Sequence, residues 1–320
     1  MTHKDFCISI VVPAFNEEGS LRQLIPALTA ILKDYRDYEI LLVDDGSQDH
    51  SLEIIKEWHR QNFHVRYLSL SRNFGHQNAL KAGLDHAIGD CVVTMDADLQ
   101  HPPEMIPQLI AKWQEGYDVV YTVRQDDPKL SFFKRQTSAL FYNVMNRLSD
   151  VRINRGAADF RLLDRSVVEV LKDIHEYYLF YRGMTAWVGF RQYAIEYCPA
   201  ARFAGETKYS FRKMLGFALT GITSFSLKPL RISVLLGVFF AVISFLYALY
   251  AITMKIFTTQ TIPGWTSVLV SVLFIGGIQL IVMGIIAEYI GKLFMESKRR
   301  PHYIVREKSG PKDRTADTGE

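Results

Sequence analysis

Acidic residues gather at the ends of apolar runs in this chain. One run closes in Met95-Asp96-Ala97-Asp98-Leu99-Gln100. In an extended segment, alternation sends Asp96, Asp98 and Gln100 to one side. Two carboxylates and an amide oxygen form a hard-oxygen set suited to Mg²⁺ or Mn²⁺, with substrate phosphates completing the shell. His101 and Pro102-Pro103 follow and open a helix, since proline is tolerated in the first turn. An earlier run closes in Val43-Asp44-Asp45-Gly46-Ser47-Gln48-Asp49. Asp49 fits as the N-cap of the next helix, and Gly46 permits a sharp turn. The adjacent Asp44-Asp45 pair has no such structural explanation, because like charges repel. A ligand that offers donors, such as a nucleoside base or ribose, would relieve them. A single D-x-D is weakly specific; one that follows a D-D-G-S two strands earlier is far more so.

These motifs need a scaffold, and the first half of the chain provides its pattern. Strand-like runs at 7–12, 39–44, 65–70, 91–95 and 119–123 alternate with helical stretches at 20–33, 51–60, 78–87 and 104–114. Such alternation predicts an α/β fold with a largely parallel sheet and helices on both faces. Ligands on such sheets collect at the carboxyl ends of the strands, where the acidic motifs fall. No G-x-G-x-x-G, P-loop or H-E-x-x-H sequence occurs, and no internal repeat. Composition narrows the classes further. The 320 residues carry 37 basic and 34 acidic side chains, a net of +3, too balanced for a nucleic-acid binder. With 48% hydrophobic and 12% aromatic residues the chain can build a core. Three cysteines, Cys7, Cys91 and Cys198, exclude a disulfide scaffold and suit a reducing compartment.

The late part is different. Residues 232–254 and 266–287 contain no charge. Each stretch is long enough, at ~1.5 Å per residue, to cross a bilayer core of ~30 Å. The sequence therefore predicts a soluble domain over 1–208, an amphipathic juxtamembrane helix over 209–230, and two transmembrane helices within 231–294 (about 232–254 and 266–290). A basic tail follows over 295–320. Pro263-Gly264 marks a turn, so the spans should form a hairpin. Lys228 and Arg231 precede it and Lys292, Lys298, Arg299 and Arg300 end it, whereas the connection holds Lys255 alone. This bias predicts both termini and the soluble domain in the cytoplasm. The N-terminus reads as lacking a signal peptide. The tail beyond Arg300 is expected to be mobile, with basic residues available to anionic lipid.

Pro13-Ala14-Phe15-Asn16-Glu17-Glu18, Asp44-Asp45-Gly46-Ser47 and Asp96-Ala97-Asp98 resemble the inverting glycosyltransferases of family two, which have the GT-A (Rossmann-like) fold. Asp98-Leu99-Gln100-His101-Pro102-Pro103-Glu104, Arg202-x-x-Gly205-x-x-Lys208-Tyr209-Ser210 and the late hairpin narrow the likeness. Together they resemble the polyisoprenyl-phosphate glycosyltransferases, namely bactoprenol glucosyltransferases and dolichyl-phosphate mannose synthases, from about residue 6 to 305.

The resemblance implies roles residue by residue. Pro13, Phe15 and Glu17 match positions at the nucleoside, with Phe15 standing where the family commonly has Tyr. Asp44 and Asp45 match acids around base and ribose, and the 72–75 segment matches a loop beside the donor. Asp96, Asp98 and Gln100 match the metal and diphosphate positions. Arg124 matches a cation near the phosphates, or is a surface salt-bridge residue. Asp159 matches an acid near the acceptor, either positioning it or taking a residual proton. Arg202 and Lys208 match cations that hold phosphate groups, although lipid head groups would also bind them. Asp98, Asp159, Arg202 and Lys208 form the implied catalytic set.

The implied reaction is inverting transfer of a hexose to a polyprenyl phosphate such as undecaprenyl phosphate, at the cytoplasmic face of a bacterial inner membrane, by a homo-oligomer. UDP-glucose is the first-choice donor, because 158–163 and Trp187-Val188-Gly189-Phe190 look closest to the glucosyl type; mannose, N-acetylhexosamine and aminoarabinose donors stay open. His76, His86, His101 and His175 read as surface or capping residues. Tyr177, Tyr178, Phe180 and Tyr181 read as packing. None of the four tryptophans follows an arginine, which counts against a processive synthase. A non-catalytic nucleotide-sugar scaffold and a soluble nucleotidyltransferase remain as competing readings.

Overall fold

β-Branched and leucine-rich runs make the central strands, and the helices between them cover both faces. The structure, a computed structural model, describes residues 6–125, 154, 156–197, 226–257 and 264–310. The strands are β1 (Cys7–Ala14), β2 (Asp37–Asp44), β3 (Val65–Leu70), β4 (Cys91–Thr94), β5 (Val119–Arg124), β6 (Ala157–Asp164), β7 (Gln192–Tyr197) and β8 (Val305–Lys308). They form one sheet in the order β7-β5-β6-β4-β1-β2-β3-β8. The expected parallel pairing holds for β1 with β2 and β4, for β2 with β3, and for β5 with β7. Two strands run the other way. β6 is antiparallel to both β4 and β5, and β8 is antiparallel to β3, so the sheet is mixed.

The helices of the soluble part are α1 (Glu18–Leu32), α2 (Ser51–Gln61), α3 (His76–His86), α4 (Ile106–Gln114), α5 (Arg165–Lys172) and α6 (Tyr181–Trp187). On one face Ile8, Ile10 and Val12 pack with Leu21, Leu24 and Leu28 of α1 and with residues of α2 and α4. On the other, Val11, Leu41 and Val43 pack with Ala79 and Leu80 of α3 and with residues of α5 and α6. Each strand thus sends alternate side chains into two apolar layers.

Two long helices follow: α7 (Lys228–Phe257) and α8 (Trp265–Ser297). They exceed the expected stretches at both ends. Only 6% of the apolar window of α7 and 0% of that of α8 is buried within the protein. A core helix would hide such side chains; these present Leu235, Phe245, Leu280 and Met283 outward. Helices apolar all round and uncovered by protein belong in a bilayer, so the chain is membrane-associated. The expected amphipathic helix falls almost wholly outside the described residues, as does the turn at Pro263.

As far as Gly310 the tail corrects the expectation of mobility; residues 311–320 lie outside the described residues. After α8 the chain returns to the soluble sheet and adds β8 to the edge of β3, with a register shift between Ser69 and Leu70. Ser71 donates its N–H to the carbonyl of Ile304 (2.9 Å), and Ser309 and Tyr67 exchange hydrogen bonds. Glu307 accepts from Lys56 and from the Tyr67 hydroxyl (2.8 Å). Tyr303 donates to Asp85 (2.9 Å), whose other oxygen accepts from buried Lys81 (2.7 Å). An edge strand offers unpaired backbone groups, and this segment satisfies them. Tyr303→Phe removes a hydrogen bond to a charged group, worth about 1.5–3 kcal/mol. A lower apparent Tm of the detergent-solubilised protein, with secondary structure retained, is the expected result; an unchanged Tm would show that this contact does not hold the tail.

Candidate active site

The site is assembled where the strands end. Pro13 is buried in β1, opposite Val43 of β2. Its missing N–H lies on the β4 side, where pairing has already stopped at Val11–Thr94, so the sheet tolerates it. Beyond this point the strands part. Phe15 is 41% exposed beside the gap. Asn16 adopts φ 56°, a region that Asn tolerates, and is stitched to the next loop: its N–H donates to Ser47 Oγ (3.0 Å) and its Oδ1 accepts from the Gln48 N–H (2.8 Å). Glu17 donates its N–H to Ser51 Oγ (2.9 Å) and accepts from Ser20 (2.8 Å).

The Asp44-Asp45 pair is relieved from within the protein, contrary to expectation. Asp44 accepts from the Ser47 N–H (3.1 Å) and the Ser69 hydroxyl (3.0 Å). Asp45 grips the loop after β3, taking the N–H groups of Phe74 (2.7 Å) and Gly75 (2.9 Å) on its two oxygens. Burial pushes its carboxyl above the usual range despite these bonds. Two glycines permit the arrangement. Gly46 has φ +71°, and a Cβ there would stand 2.5 Å from the backbone carbon of Arg72. Gly75 starts α3 at φ 95°, ψ 152°, close to a region that is essentially glycine's alone.

β4 is short, and this changes the geometry of the acidic motif. The strand ends at Thr94, and the next residues form a turn in which Leu99 takes φ 62°. The simple alternation expected for Asp96, Asp98 and Gln100 therefore does not apply. Asp98 Oδ1 closes the turn by accepting the Gln100 N–H (3.1 Å). Asp96 is engaged by two histidines read from the sequence as surface or capping residues: His76, which is exposed, and His101, which is not. His76 Nε2 lies 2.7 Å from Oδ1 and His101 Nε2 lies 3.8 Å from Oδ2. His101 is buried, stacks on Phe160 (5.2 Å between centroids), and accepts the Asp96 N–H on Nδ1 (3.1 Å). Accepting there requires a neutral ring, and burial lowers its pKa accordingly. Desolvation opposes charge on His76 and Asp96 too, but their mutual hydrogen bond prevails: His76 is shifted up and Asp96 down.

Opposite this turn stands Asp159. β6 pairs with β4 at Thr94–Arg161, and the Thr94 hydroxyl donates to the Asp159 carbonyl (2.6 Å). The Asp159 carboxylate receives Arg182 Nε (3.0 Å) and Nη2 (2.8 Å), with Arg161 Nη2 at 3.6 Å. Burial would raise its pKa, but the Arg182 and Arg161 guanidiniums hold it well below the usual carboxylate range. Asp159 is therefore held as a carboxylate at working pH. Arg124, exposed at the end of β5, and Tyr197, at the end of β7, complete the rim. Burial pushes the Tyr197 hydroxyl up to about 12, and Arg124, Asp96, Asp98 and Arg182 all act on it. Arg202 and Lys208 lie outside the described residues.

The resident chemistry fits a divalent cation. Asp96, Asp98 and Gln100 offer oxygen donors, although among the described residues no three His, Cys, Asp or Glu side chains converge as a group that could hold a metal ion by themselves. One or two carboxylates with a shell left open for phosphate is what Mg²⁺ takes.

Sequence comparison places the chain as a whole. The model of glycosyl transferase family 2 matches residues 9–171. The chain belongs to that family. A second model, the GtrB C-terminal hairpin, matches residues 228–293. An uncharacterized glycosyltransferase, YkcC of Bacillus subtilis, is 45% identical over 94% of both chains. The bactoprenol glucosyl transferase of Shigella phage SfV is 43% identical over 93% of this chain and 98% of its own. Among solved structures, a mannosyltransferase from Pyrobaculum calidifontis in complex with GDP-Man and Mn²⁺ covers 68% of this chain and 63% of its own, at TM-score 0.48 and 17% identity.

As a family 2 glycosyltransferase the chain is an enzyme, and its acidic motifs follow the carboxyl ends of the interior strands β2 and β4. His76, His101, Arg182 and Tyr197 also belong to the site, and pattern reading missed them. A signal existed for His101, adjacent to the motif and before the proline pair. Nothing local marks Arg182, which reaches Asp159 only through the docking of α6 on β6. The 177–181 aromatics pack as expected: Phe180 and Tyr181 are buried, while the Tyr177 N–H meets Glu296 (2.7 Å) and Lys292 lies over the Tyr178 ring (5.2 Å), both on α8.

Proposed function

We propose that this glycosyltransferase moves glucose from UDP-glucose to a polyprenyl phosphate, such as undecaprenyl phosphate, with inversion at the anomeric carbon. The carrying observation is one chain holding both an acidic, arginine-bordered site at the ends of the interior strands and a hairpin whose apolar side chains face outward. A long polyprenyl tail stays in the bilayer, since each CH₂ brought into water costs ~0.8 kcal/mol. The enzyme must therefore bring its site to the head group. The relatives named bactoprenol glucosyl transferase support this acceptor and sugar. The basic flanks of α7 and α8 support a cytoplasmic site and cytoplasmic termini.

The nucleophile is a phosphate monoester whose second pKa is ~6, so it is largely anionic at neutral pH. A strong base is unnecessary, so an ionised Asp159 need only position the acceptor or take a residual proton. The harder task is holding an anion beside an anionic donor. Arg124, Arg202 and Lys208 serve this by offsetting charge, while Phe15 presents an apolar face to the base and Pro13 and Glu17 shape the loop around it. Asp44 and Asp45 hold the donor-side loops in place. Mg²⁺ or Mn²⁺, held by Asp96, Asp98 and Gln100, would stabilise charge on the departing nucleoside diphosphate.

The test is a panel of nucleotide sugars incubated with the purified protein, undecaprenyl phosphate and either metal. The expected product is an alkali-stable but acid-labile lipid-phosphate glucose with β linkage, formed from UDP-glucose in preference to the rest. Product from GDP-mannose or a UDP-N-acetylhexosamine instead would replace the donor. Nucleotide binding with no product from any donor would favour the non-catalytic scaffold.

A further inference from the structure

We propose that Arg182 is a positioning residue for the transfer, fixing the Asp159 carboxylate in the orientation that faces the reacting groups. This rests on the reading of Asp159 as a residue at the acceptor.

The pair is built by two reciprocal reaches between β6 and α6. Arg161 leaves β6 and donates to the carbonyl of Tyr181 (3.4 Å) and to Thr185 Oγ1 on α6, while its Nη2 donates to the Ala158 carbonyl (2.7 Å). That fastening sets the first turn of α6 against the strand. Arg182, the next residue on α6, then reaches back and forks onto Asp159 through two nitrogens. Fork-on-carboxylate geometry fixes the plane and rotation of the acid, which a single point charge does not.

Charge balance alone does not require Arg182. Arg161 is buried, lies 3.6 Å from Asp159, and already supplies one compensating charge. A second guanidinium on the same carboxylate costs desolvation, and buried ion pairs are weak sources of stability. The placement differs in a telling way as well. The Arg161 side chain is 4% exposed and serves the protein interior, whereas that of Arg182 is 31% exposed and that of Asp159 is 10% exposed. The Arg182–Asp159 pair thus stands at the open border of the site. From there Asp159 acts electrostatically on His76, Asp96 and His101, the cluster at the end of β4, and Arg182 on the two histidines. The fork keeps both oxygens of the acid on Arg182 and so fixes its rotation in that position.

Arg182→Gln, Arg182→Lys, Asp159→Asn and the double variant Arg182→Gln/Asp159→Asn are compared with the wild type, with thermal unfolding as the check of folding. Arg182→Gln should lower kcat about 10–100-fold, the scale of a misplaced catalytic group, with donor KM changed by less than about 3-fold. Arg182→Lys keeps the charge but not the fork, and should recover only part of the loss. The double variant should be no slower than Asp159→Asn alone, because the two residues act as one unit. If Arg182→Gln does not fold, Arg182→Lys at wild-type Tm carries the test. Wild-type kcat in Arg182→Lys, full additivity in the double variant, or a change confined to KM would overturn the proposal. A wild type that makes no product with UDP-glucose and undecaprenyl phosphate refutes the proposed function instead, and the variants are then compared on the nucleotide sugar that the wild type does use.

Discussion

Asp98→Ala is expected to cut transfer by about 10³-fold or more, the loss that follows removal of a principal group stabilising departing charge. The fold and membrane insertion should survive. Asp98 is half-buried in the turn after β4, and the bond seen from its Oδ1 is to the Gln100 N–H at 3.1 Å. Losing that bond costs about 0.5–1.5 kcal/mol, and Asp98 is not part of either apolar layer that carries the domain. Asp96 makes a poorer test. Its carboxylate carries the contacts to His76 and His101, so its removal also loosens α3 and the turn. The measurement is product formation across a titration of Mn²⁺, with Tm as the folding check. A folded Asp98→Ala protein at near-normal turnover would remove Asp98 from the metal and diphosphate assignment. A protein whose activity returns at high Mn²⁺ would place the defect in metal affinity rather than in chemistry.

The half of the fold that obeys simple periods was legible beforehand. β1 to β5 and the helices between them follow from short apolar runs alternating with amphipathic ones, and their carboxyl ends carry the acidic motifs as the βαβ rule requires. β6 was not legible as a strand, because Ala157–Asp164 mixes charge with apolar residues. Its Asp159 and Arg161 are inside only because Arg182, Thr185 and nearby carbonyls satisfy them. β8 was hidden for a related reason. Val305–Lys308 is four residues, three of them exposed and charged; it becomes a strand because β3 offers an open edge and Tyr303 anchors the approach at Asp85. In the site, residue types announced the carboxylates, since two acids at a strand end demand a reason. Their partners were not announced. His76 and Arg182 lie 20 and 23 residues from the acids they hold, and only tertiary packing joins them.

The same packing makes Asp159→Asn informative about chemistry rather than folding. Asparagine keeps the shape and removes the charge. Arg161 retains its bonds to Ala158, Tyr181 and Thr185, and Arg182 is partly open to solvent. The stability lost should therefore stay below the about 3–5 kcal/mol that stranding a fully buried charge costs. The rate should suffer more: kcat lower by about 10²–10³-fold, with donor KM within about 3-fold. The pH dependence follows from the sign of the shift. The folded pKa of Asp159 is depressed by Arg182 and Arg161, against the push of burial. Its ionised pair thus contributes stability above the ordinary carboxylate value of ~3.9, lost only as pH falls through the lower folded value. Between pH 5 and 8 its charge is constant, so it contributes no limb to the wild-type profile. An acidic limb near pH 6 belongs to the second ionisation of the acceptor phosphate, at ~6, and should persist in Asp159→Asn at reduced height. Disappearance of that limb in the variant would make Asp159 the titrating base after all. An equal loss of donor binding and rate would move it to the nucleotide side of the site.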